Sequence, residues 1–531
     1  MANVIGIDLG TTYSCIAYLE GGEPRVIPNL DGFQTTPSVV SFTNSGEELI
    51  GNLALRQSLT NPEMTVYSVK RLIGKKYSSE GIQEAKKRIA YNLTESPNGD
   101  VMIKIDSRII SPQEISGMIL RYLKKCAESF FGQGISEVVV TVPAHFNDHQ
   151  RQATKDAAKI AGLEVLRVIN EPTSASLAYG LHNRKNLTIA VYDMGGGTFD
   201  ITLMEISDGI FNVLATNGSS FLGGEDFDNR IVDWLIEDFK KENHIDLSEN
   251  KLALQRIKES AEKAKRELSF TLESEINLPF IFSDKSSSKH IMKNLSRKRL
   301  EELTKDLVEK TFPFMDQAFT DAKLGPGDVD EVILVGGQTQ MPLIKKAITD
   351  FFGKKPVEKI NPEEIVAMGA AIQTGILKGK MEELVVLLDV NPLSLGIETE
   401  NDGYVKIIEK NTTIPTKKSM SFTTVENNQR KVKVHVLQGE SKKASENTSL
   451  GIFNLIGIEE APASVPQIDV TFEINSDGIV RVSAKDVSTG SIQAIEVKPS
   501  SGLSKKEINK IIKRNQPEES EVHNNGKTGL L

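Results

Sequence analysis

The sequence is poor in cysteine, tryptophan and long apolar runs. Its 531 residues include two cysteines and one tryptophan. Cys15 and Cys126 lie within apolar patterns, which indicates buried, reduced thiols and a reducing compartment. No apolar run approaches the roughly 20 residues that a membrane span needs. The N-terminus enters a strand pattern directly, without the charged segment or cleavage site of an export signal. These features predict a cytoplasmic protein without membrane contact.

Clusters of one charge are also missing. The 72 acidic and 63 basic side chains give a net charge of −9 and are mixed along the chain. Because nucleic-acid phosphates are bound by clustered basic faces, nucleic acid is not the expected partner. The hydrophobic fraction of 39% is ordinary for a globular protein. A chain of this length exceeds one hydrophobic core, so at least two domains are expected.

Residues 1–380 alternate strand-like and helix-like patterns. Ser111 to Glu114 form a capping box with proline at the first helical position, and Gly132 ends the predicted helix. Between Leu254 and Leu268, apolar residues recur every three or four positions, which predicts a second helix. That stripe is too short for a coiled coil, so we expect it to pack on a sheet.

The pattern changes near residue 380. An apolar run, Leu384 to Leu388, lies between acidic residues and predicts either a buried strand or an inter-domain linker that docks reversibly. Segments of residues 391–499 alternate apolar and polar side chains, which is typical of an antiparallel β-sandwich. Ser504 to Glu507 form another capping box, followed by a polar tail that we expect to be disordered. The predicted units are 1–380, 381–390, 391–499 and 500–531.

Three glycine-rich turns each follow an apolar strand pattern. They are Asp8–Thr12, Asp193–Asp200 and Gly336–Thr339. Glycine lets successive backbone N–H groups converge on one anion, and hydroxyls add donors. Since an aspartate repels phosphate, the aspartates that open two turns indicate a bridging Mg²⁺, held mostly through water. One such turn could be a tight hairpin, but the near-repeat of D-x-G-x-T predicts two lobes that close on one polyphosphate.

Further segments occur in a fixed order along the chain: GIDLGTTYSC, RLIG, NDHQRQATKDAAKIAGLEV, INEPT, AVYDMGGGTFD, LGGEDFD, ILVGGQT, NPLSLGIET and NTTIPTK. In these segments the chain resembles the 70-kilodalton heat-shock chaperones, in particular the bacterial DnaK type, from residue 3 to about residue 510. The resemblance implies an α/β, actin-like, two-lobed ATPase domain, then an antiparallel β-sandwich that binds peptides, then a short C-terminal helix.

The resemblance implies roles at a site for ATP or ADP with Mg²⁺, and K⁺ is a further candidate cation. Asp8 and Asp193 match aspartates of the Mg²⁺ site, and Lys70 matches the lysine that reaches the γ-phosphate. Glu171 and Asp200 match carboxylates that position the attacking water and the metal shell. The phosphate loops correspond to Gly10, Thr11, Thr12, Tyr13, Gly195, Gly196, Gly197 and Thr198. The adenosine contacts correspond to Glu262, Lys265, Arg266, Ser269, Gly336, Gly337, Gln338 and Gln340.

Without the resemblance, Lys70 would be interpreted as a solvated lysine and Glu171 as a turn residue. Gln340 departs from the family, which usually carries an arginine there that flanks the adenine. A glutamine cannot supply the stacked guanidinium, so weaker nucleotide affinity is expected, without loss of hydrolysis.

In the β-sandwich, the resemblance implies an apolar pocket for an extended peptide. The matching residues are Ile397, Phe422, Val432 and Val434. Read from alternation alone, these residues would be ordinary sandwich core. Glu400 and Val425 stand where DnaK has a methionine and an alanine that arch over the peptide. A carboxylate over the cleft predicts a more open arch and a preference for peptides flanked by lysine or arginine.

A third group of residues matches positions that couple the two sites. Pro143 and Arg151 match a relay between nucleotide state and linker, and Val385 and Leu387 belong to the linker itself. Arg167 and Asp389 match positions used by J-domain partners and by linker docking; for Arg167, a plain surface charge is an equal alternative. The implied partners are client polypeptides, a J-domain co-chaperone and a GrpE-type exchange factor, and a monomer is expected.

The family continues beyond the β-sandwich with a helical lid, whereas this sequence ends at Leu531, soon after the first lid helix begins. A naturally lidless protein and a truncated product both fit. His145 and His149 have the spacing of a zinc-protease motif, but Phe146 replaces the required glutamate.

Three hypotheses follow. The first is an ATP-driven peptide chaperone. The second is a peptide holdase whose ATPase is uncoupled. The third is a small-molecule kinase on the same actin-like lobes, which leaves residues 391–499 unexplained.

Overall fold

The structure is a computed structural model that describes residues 4–180, 186–283, 288–357, 361–381, 385–490, 492–496 and 502–515. Leu384, the first residue of the predicted apolar run, and the predicted polar tail beyond residue 515 lie outside these ranges. No helix in the described ranges has the length and apolar character that crossing a bilayer would require.

Helices concentrate before residue 381 and follow the predicted capping signals. Ser111 accepts a hydrogen bond from the Glu114 N–H at 3.2 Å, and Gly132 ends the helix in a left-handed conformation with φ 66°, both as predicted. The helices are α1 (Asn52–Ser58), α2 (Glu80–Lys86), α3 (Pro112–Phe131), α4 (Asp148–Ile160), α5 (Glu171–Gly180), α6 (Gly224–Asn243), α7 (Lys251–Glu267), α8 (Arg297–Glu309), α9 (Phe312–Ala322), α10 (Pro342–Phe352), α11 (Ile365–Leu377) and α12 (Lys505–Asn515).

The strands of the first region form two larger sheets and several small ones. They are β1 (Val4–Asp8), β2 (Tyr13–Glu20), β3 (Glu23–Ile27), β4 (Thr35–Pro37), β5 (Val40–Phe42), β6 (Glu48–Ile50), β7 (Thr65–Val66), β8 (Asn92–Glu95), β9 (Val101–Ile105), β10 (Arg108–Ile110), β11 (Glu137–Val142), β12 (Glu164–Asn170), β13 (Leu187–Met194), β14 (Phe199–Ser207), β15 (Ile210–Ser219), β16 (Glu273–Ser283), β17 (Ser288–Ser296) and β18 (Glu331–Val335).

The two larger sheets repeat one local topology. Strand β1 pairs in parallel with β11 and antiparallel with β2, and β13 pairs in parallel with β18 and antiparallel with β14. Each therefore places an aspartate, Asp8 or Asp193, at the end of a central strand before a glycine-rich turn. Helices α5 and α11 pack against each other, and a Cβ on Gly369 of α11 would lie 1.7 Å from the Ser174 carbonyl oxygen of α5. The glycine-rich turns after β1 and β13 are therefore brought close together.

The region after residue 385 is rich in strands. These are β19 (Val386–Val390), β20 (Leu395–Thr399), β21 (Gly403–Ile408), β22 (Thr413–Ile414), β23 (Thr416–Thr423), β24 (Lys431–Gln438), β25 (Thr448–Ile456), β26 (Gln467–Ile474), β27 (Val480–Asp486) and β28 (Ile492–Glu496). Two four-stranded antiparallel sheets, ordered β21-β20-β24-β25 and β23-β26-β27-β28, share one apolar core. Alternate residues such as Val434 and Val436 are buried, because successive side chains of a strand point to opposite faces.

Several contacts join the strand-rich region to the first region. Strand β19 pairs in parallel with β15 and antiparallel with β22, so the second large sheet runs β18-β13-β14-β15-β19-β22. The predicted apolar run is therefore a strand from Val386 onward. Helix α12 packs on α4 through Ile508, Ile511 and Ile160. In addition, His149 of α4 lies 3.4 Å from the Leu450 carbonyl oxygen, and Asp148 accepts from the Val480 N–H at 2.8 Å. We call these contacts together the docked arrangement.

Candidate functional site

Most of the predicted nucleotide residues line one cavity of about 330 Å³. The predicted residues at its wall are Asp8, Gly10, Thr11, Thr12, Tyr13, Lys70, Glu171, Asp193, Gly195, Gly196, Thr198, Glu262, Lys265, Arg266, Ser269, Gly336, Gly337, Gln338 and Gln340. Gly197 and Asp200 stand just behind the wall. The Arg71 Nε donates to the Gly197 carbonyl oxygen at 3.0 Å, and the His145 N–H donates to Asp200 at 3.0 Å.

The first two glycine-rich turns face each other at van der Waals distance. A Cβ on Gly196 would lie 1.9 Å from the Thr12 hydroxyl oxygen. Gly336 of the third turn has φ 81°, and a Cβ there would lie 2.4 Å from the Met194 carbonyl oxygen. Any side chain would force these turns apart, so glycine is what allows backbone donors from both halves to face one ligand.

Acidic side chains crowd the floor of the cavity around one lysine. Lys70 is buried and forms an ion pair with Glu171. Burial, followed by the charge of Glu171, raises the pKa of Asp8 to about 7, although Lys70 and the Thr141 hydroxyl oppose the shift. Burial and the charge of Glu171 also raise the pKa values of Asp193 and Asp200 well above the usual range. The single positive charge of Lys70 does not balance these carboxylates, so the floor of the cavity has an excess of acidic groups.

That excess fits a divalent cation bound between the carboxylates. Asp193 Oδ2 is buried, and within the described residues it has no hydrogen-bond partner. Across the same residues, no three acidic, cysteine or histidine side chains group closely enough to hold an ion directly. Asp8 and Asp193 thus suit an ion held largely through water, and Mg²⁺ prefers to keep several of its waters.

Basic side chains occupy the opposite wall of the cavity. Lys265 Nζ lies 3.0 Å from Asp228 and donates to the Gly224 carbonyl oxygen at 2.8 Å. The Arg266 guanidinium lies 5.1 Å from the centroid of the Tyr13 ring and donates to its hydroxyl at 2.8 Å. Gln340 ends a short 3-10 helix, Gly337–Gln340, at the same wall. Its neutral amide cannot make the cation–π contact with a base that an arginine guanidinium makes.

Several residues of the wall were not singled out from the sequence. They are Gly224, Phe270, Val335, Pro362, Glu363 and Val366. Gly224 belongs to the LGGEDFD segment, and its N–H donates to the Gly195 carbonyl oxygen at 2.9 Å. The Pro362 carbonyl oxygen accepts from the Gly336 N–H at 2.9 Å. Gly224 could have been predicted from its sequence motif. Pro362 could not, because no motif surrounds it and only the folded chain brings it to the cavity.

The predicted peptide residues divide by burial. Ile397 and Val434 lie inside the core shared by the two later sheets, and Phe422 and Val432 are partly buried against it. Glu400 is exposed in the turn between β20 and β21. Val425, in the connection from β23 to β24, is 57% exposed. The two arch positions are therefore the accessible ones.

Of the predicted linker residues, Leu387 and Asp389 lie on strand β19 of the second large sheet, and Val385 directly precedes that strand. Val385 and Leu387 pack against an apolar cluster that includes Ile206 and Phe211. Asp389 is buried, and its carboxylate accepts a hydrogen bond from the Thr173 hydroxyl of α5 at 2.9 Å. Thr173 lies two residues after Glu171, so one helix touches both the linker and the cavity.

The remaining predicted coupling residues surround the turn at Asp477 and Gly478. Asp477 lies 2.8 Å from Lys155 Nζ and accepts from the Val168 N–H at 3.1 Å, and Arg167 Nε lies 3.9 Å away. Arg151 is buried directly below, where a Cβ on Gly478 would lie 3.1 Å from its Nε. Its guanidinium also donates to the Ala144 carbonyl oxygen at 3.1 Å, one residue after Pro143.

His149 is buried and His145 is half-buried, and burial lowers the pKa of each to about 4. His149 Nε2 lies 3.4 Å from the Leu450 carbonyl oxygen of β25. It therefore serves the contact between the two regions. No group that could hold a metal includes either histidine in the part of the chain that the structure describes.

Comparison with protein families gives a match over almost the whole chain. The family model described as Hsp70 protein matches residues 4–528. The chain therefore belongs to the Hsp70 family. Members of this family are chaperones and ATPases that bind ATP or ADP with Mg²⁺ and act on client polypeptides with co-chaperones.

Proposed function

We propose that this Hsp70-family chain is an ATP-dependent chaperone of the DnaK type, in which hydrolysis at the cavity controls the grip on an extended apolar peptide. The observation that carries the proposal is the extension of the second large sheet. Strand β13 ends at the cavity, and three strands further along the same sheet lies β19, which leads into the strand-rich region. A change at the cavity therefore has a direct physical route to the later sheets.

Within the cavity, we assign the chemistry to the residues at its floor. Asp8 and Asp193 would hold Mg²⁺ through water, and the bound ion would neutralise charge on the phosphates. Lys70, fixed by Glu171, would place a positive charge where the transferred phosphoryl group becomes more negative. Glu171 and Asp200 would orient the attacking water. Thr11, Thr12 and Thr198 would add hydroxyl donors.

Coupling between the sites would run through the docked arrangement. With ATP bound, β19 would stay paired with β15 and the peptide cleft would be open. After hydrolysis, β19 would leave the sheet and the cleft would close. Linkage requires the reverse effect as well, so a bound peptide should change nucleotide binding by the same factor. Arg167 would lie at a surface shared with a J-domain partner, and a GrpE-type factor would exchange the nucleotide.

The second candidate is a holdase whose ATPase runs without coupling. The measurement that separates the two is the dissociation constant for a fluorescent apolar peptide, with and without ATP. Coupling predicts a clear drop in peptide affinity when ATP is added, and ADP serves as the control. Equal affinity in both states would establish the uncoupled holdase. A kinase is less favoured, because it would leave the two later sheets without a role.

The exposed carboxylate of Glu400 bears on which peptides are preferred. We expect peptides flanked by lysine or arginine to bind more tightly than matched neutral peptides, because an exposed carboxylate attracts cations over a few ångströms. The Glu400→Gln variant should lose this preference while its affinity for the neutral peptide is unchanged. The control variant is Glu459→Gln, because Glu459 is an exposed carboxylate after β25. Asp402→Asn is unsuitable as a control, because Asp402 accepts two hydrogen bonds from Ser445.

A further inference from the structure

A row of three polar side chains crosses the outer face of the sheet β21-β20-β24-β25. Glu398 lies on β20, His435 on β24 and Ser449 on β25. Their neighbours Ile397, Val434, Val436 and Leu450 are buried in the core. Because side chains of a strand alternate between faces, the three polar residues point away from that core.

The three side chains are joined by short hydrogen bonds in one line. His435 Nδ1 lies 2.7 Å from Glu398 Oε2, and His435 Nε2 lies 2.8 Å from Ser449 Oγ. A carboxylate at Nδ1 favours the tautomer that carries its proton there. Nε2 is then the acceptor for the Ser449 hydroxyl proton. This acid–histidine–serine order is the arrangement that activates serine nucleophiles on unrelated folds.

The row is held in register by the strands and remains accessible. Ile397 pairs with Val436, and Val436 pairs with Gly451, with a bulge before the Leu437–Ser449 pair. The side chain of His435 is 19% exposed and that of Glu398 is 35% exposed. Reagents can therefore reach a histidine that both neighbours orient.

An apolar side chain stands beside the row. Ile452 is directly opposite His435 in the pairing of β24 with β25, and it is 54% exposed. Opposite residues of an antiparallel pair have Cβ atoms roughly 5 Å apart. A short apolar chain attached to a carbonyl at Ser449 could cover Ile452.

We propose that Ser449 is a nucleophile that accepts acyl groups from activated esters with a short apolar acyl chain, a reactivity independent of the nucleotide cavity. The Ser449 oxygen forms a bond to the ester carbonyl carbon, and the bond from that carbon to the leaving alcohol oxygen breaks. The hydroxyl proton passes to His435 Nε2 and then to the departing oxygen. The products are acyl-Ser449 and the free alcohol. The row supplies a base and an orienting carboxylate but no oxyanion donor, so the class is limited to activated esters such as aryl esters.

The first test is covalent labelling of the full chain. A fluorophosphonate probe should modify Ser449, with loss of fluoride, and peptide mapping by mass spectrometry should locate the adduct. Ser449→Ala should abolish that adduct and His435→Gln should slow labelling by at least about tenfold, in line with general-base contributions of 10²–10⁴. Ser421→Ala is the matched control, because Ser421 is exposed and bonded to Asp469 without a histidine.

The second test is release of p-nitrophenol from p-nitrophenyl butyrate and acetate. The rate should be at least about tenfold lower in His435→Gln, because the Ser449 hydroxyl then has no base beside it. Glu398→Gln should lower the rate, and Ile452→Asn should reduce the preference for butyrate over acetate. ATP hydrolysis and thermal unfolding report on the folding of each variant, and the position of the adduct on the wild-type chain keeps the test decisive if a variant folds poorly. No adduct at Ser449, or equal labelling in His435→Gln, would show that the row only ties three strands together.

Discussion

At the residue scale, Lys70 is where the cavity can be tested most directly. Its ammonium group is buried among carboxylates, and Glu171 and Asp8 raise its pKa against the lowering effect of burial, so it stays charged. Lys70→Met should lower single-turnover ATP hydrolysis by about 100-fold or more, since removal of one preorganised donor commonly costs 10²–10³ in rate. Lys76→Met is the matched control, because Lys76 lies outside the cavity and pairs with Asp100 at 2.8 Å. Equal loss in both variants would contradict the assignment.

Gln340 gives a second residue-scale prediction, this time about affinity. Gln340→Arg would add a guanidinium at the wall that already carries Arg266. A desolvated cation–π contact contributes about 0.5–2 kcal/mol, so ADP should bind about two- to thirtyfold more tightly. Isothermal titration calorimetry measures this, and Gln133→Arg, at an exposed site after α3, controls for added charge. An unchanged dissociation constant would show that position 340 does not contact the base.

At the element scale, β19 is the strand on which coupling depends. Leu387→Asp would place a carboxylate on a partly buried strand beside apolar side chains that include Val139 and Ile169, which destabilises the docked strand. The strand should then leave the sheet. We expect basal ATP hydrolysis to remain while the ATP-induced loss of peptide affinity disappears. Peptide anisotropy with and without ATP measures the effect, with Val487→Asp, at a half-exposed position, as control. Retained coupling would mean that β19 carries no signal.

Elements were predictable from the sequence where local signals sufficed. The Ser504 capping box forms, whereas Ser111 forms only half of its predicted box, because the Glu114 carboxylate pairs with Arg514 instead of the Ser111 N–H. The three apolar runs before the glycine-rich turns are β1, β13 and β18, as predicted. Alternation predicted antiparallel strands after residue 391, and every described pair within the two later sheets is antiparallel. These features depend on neighbours within a few residues, which the sequence displays directly.

Long-range placement was not predictable in the same way. Pro362 reaches the cavity because its carbonyl oxygen meets Gly336, and nothing around residue 362 resembles a phosphate turn. The Glu398–His435–Ser449 row joins three strands whose register includes a bulge, which no alternation pattern reveals. Lys70 and Glu171, 101 positions apart, were linked through the family resemblance and not through any local signal.

At the scale of the whole molecule, the docked arrangement should depend on pH through His149. The ring is buried against β25, and burial lowers its pKa to about 4 from the usual 6.5. Because the pKa of His149 is lower in the docked state, the undocked state takes up the proton first as the pH falls. The histidine contribution to docking is therefore complete above about pH 6.5 and is lost as the pH falls toward 4. Asp148 acts in the opposite direction, because burial raises its pKa to about 6 and its protonation favours the buried state.

Replacing the histidine separates these two effects. His149→Gln keeps a donor for the Leu450 carbonyl oxygen but cannot be protonated, and it leaves Asp148 in place. With pKa values of about 4 and 6.5, protonation of His149 should weaken docking about tenfold at pH 5.5 relative to pH 8. Hydrogen exchange at the β19 amides in the presence of ATP measures docking. After correction for intrinsic exchange, the β19 amides of the wild-type chain should lose protection between pH 8 and pH 5.5. In His149→Gln the same amides should lose less protection, or gain protection, because only the protonation of Asp148 then acts on docking. Parallel pH profiles for the two proteins would exclude His149 as the titrating group.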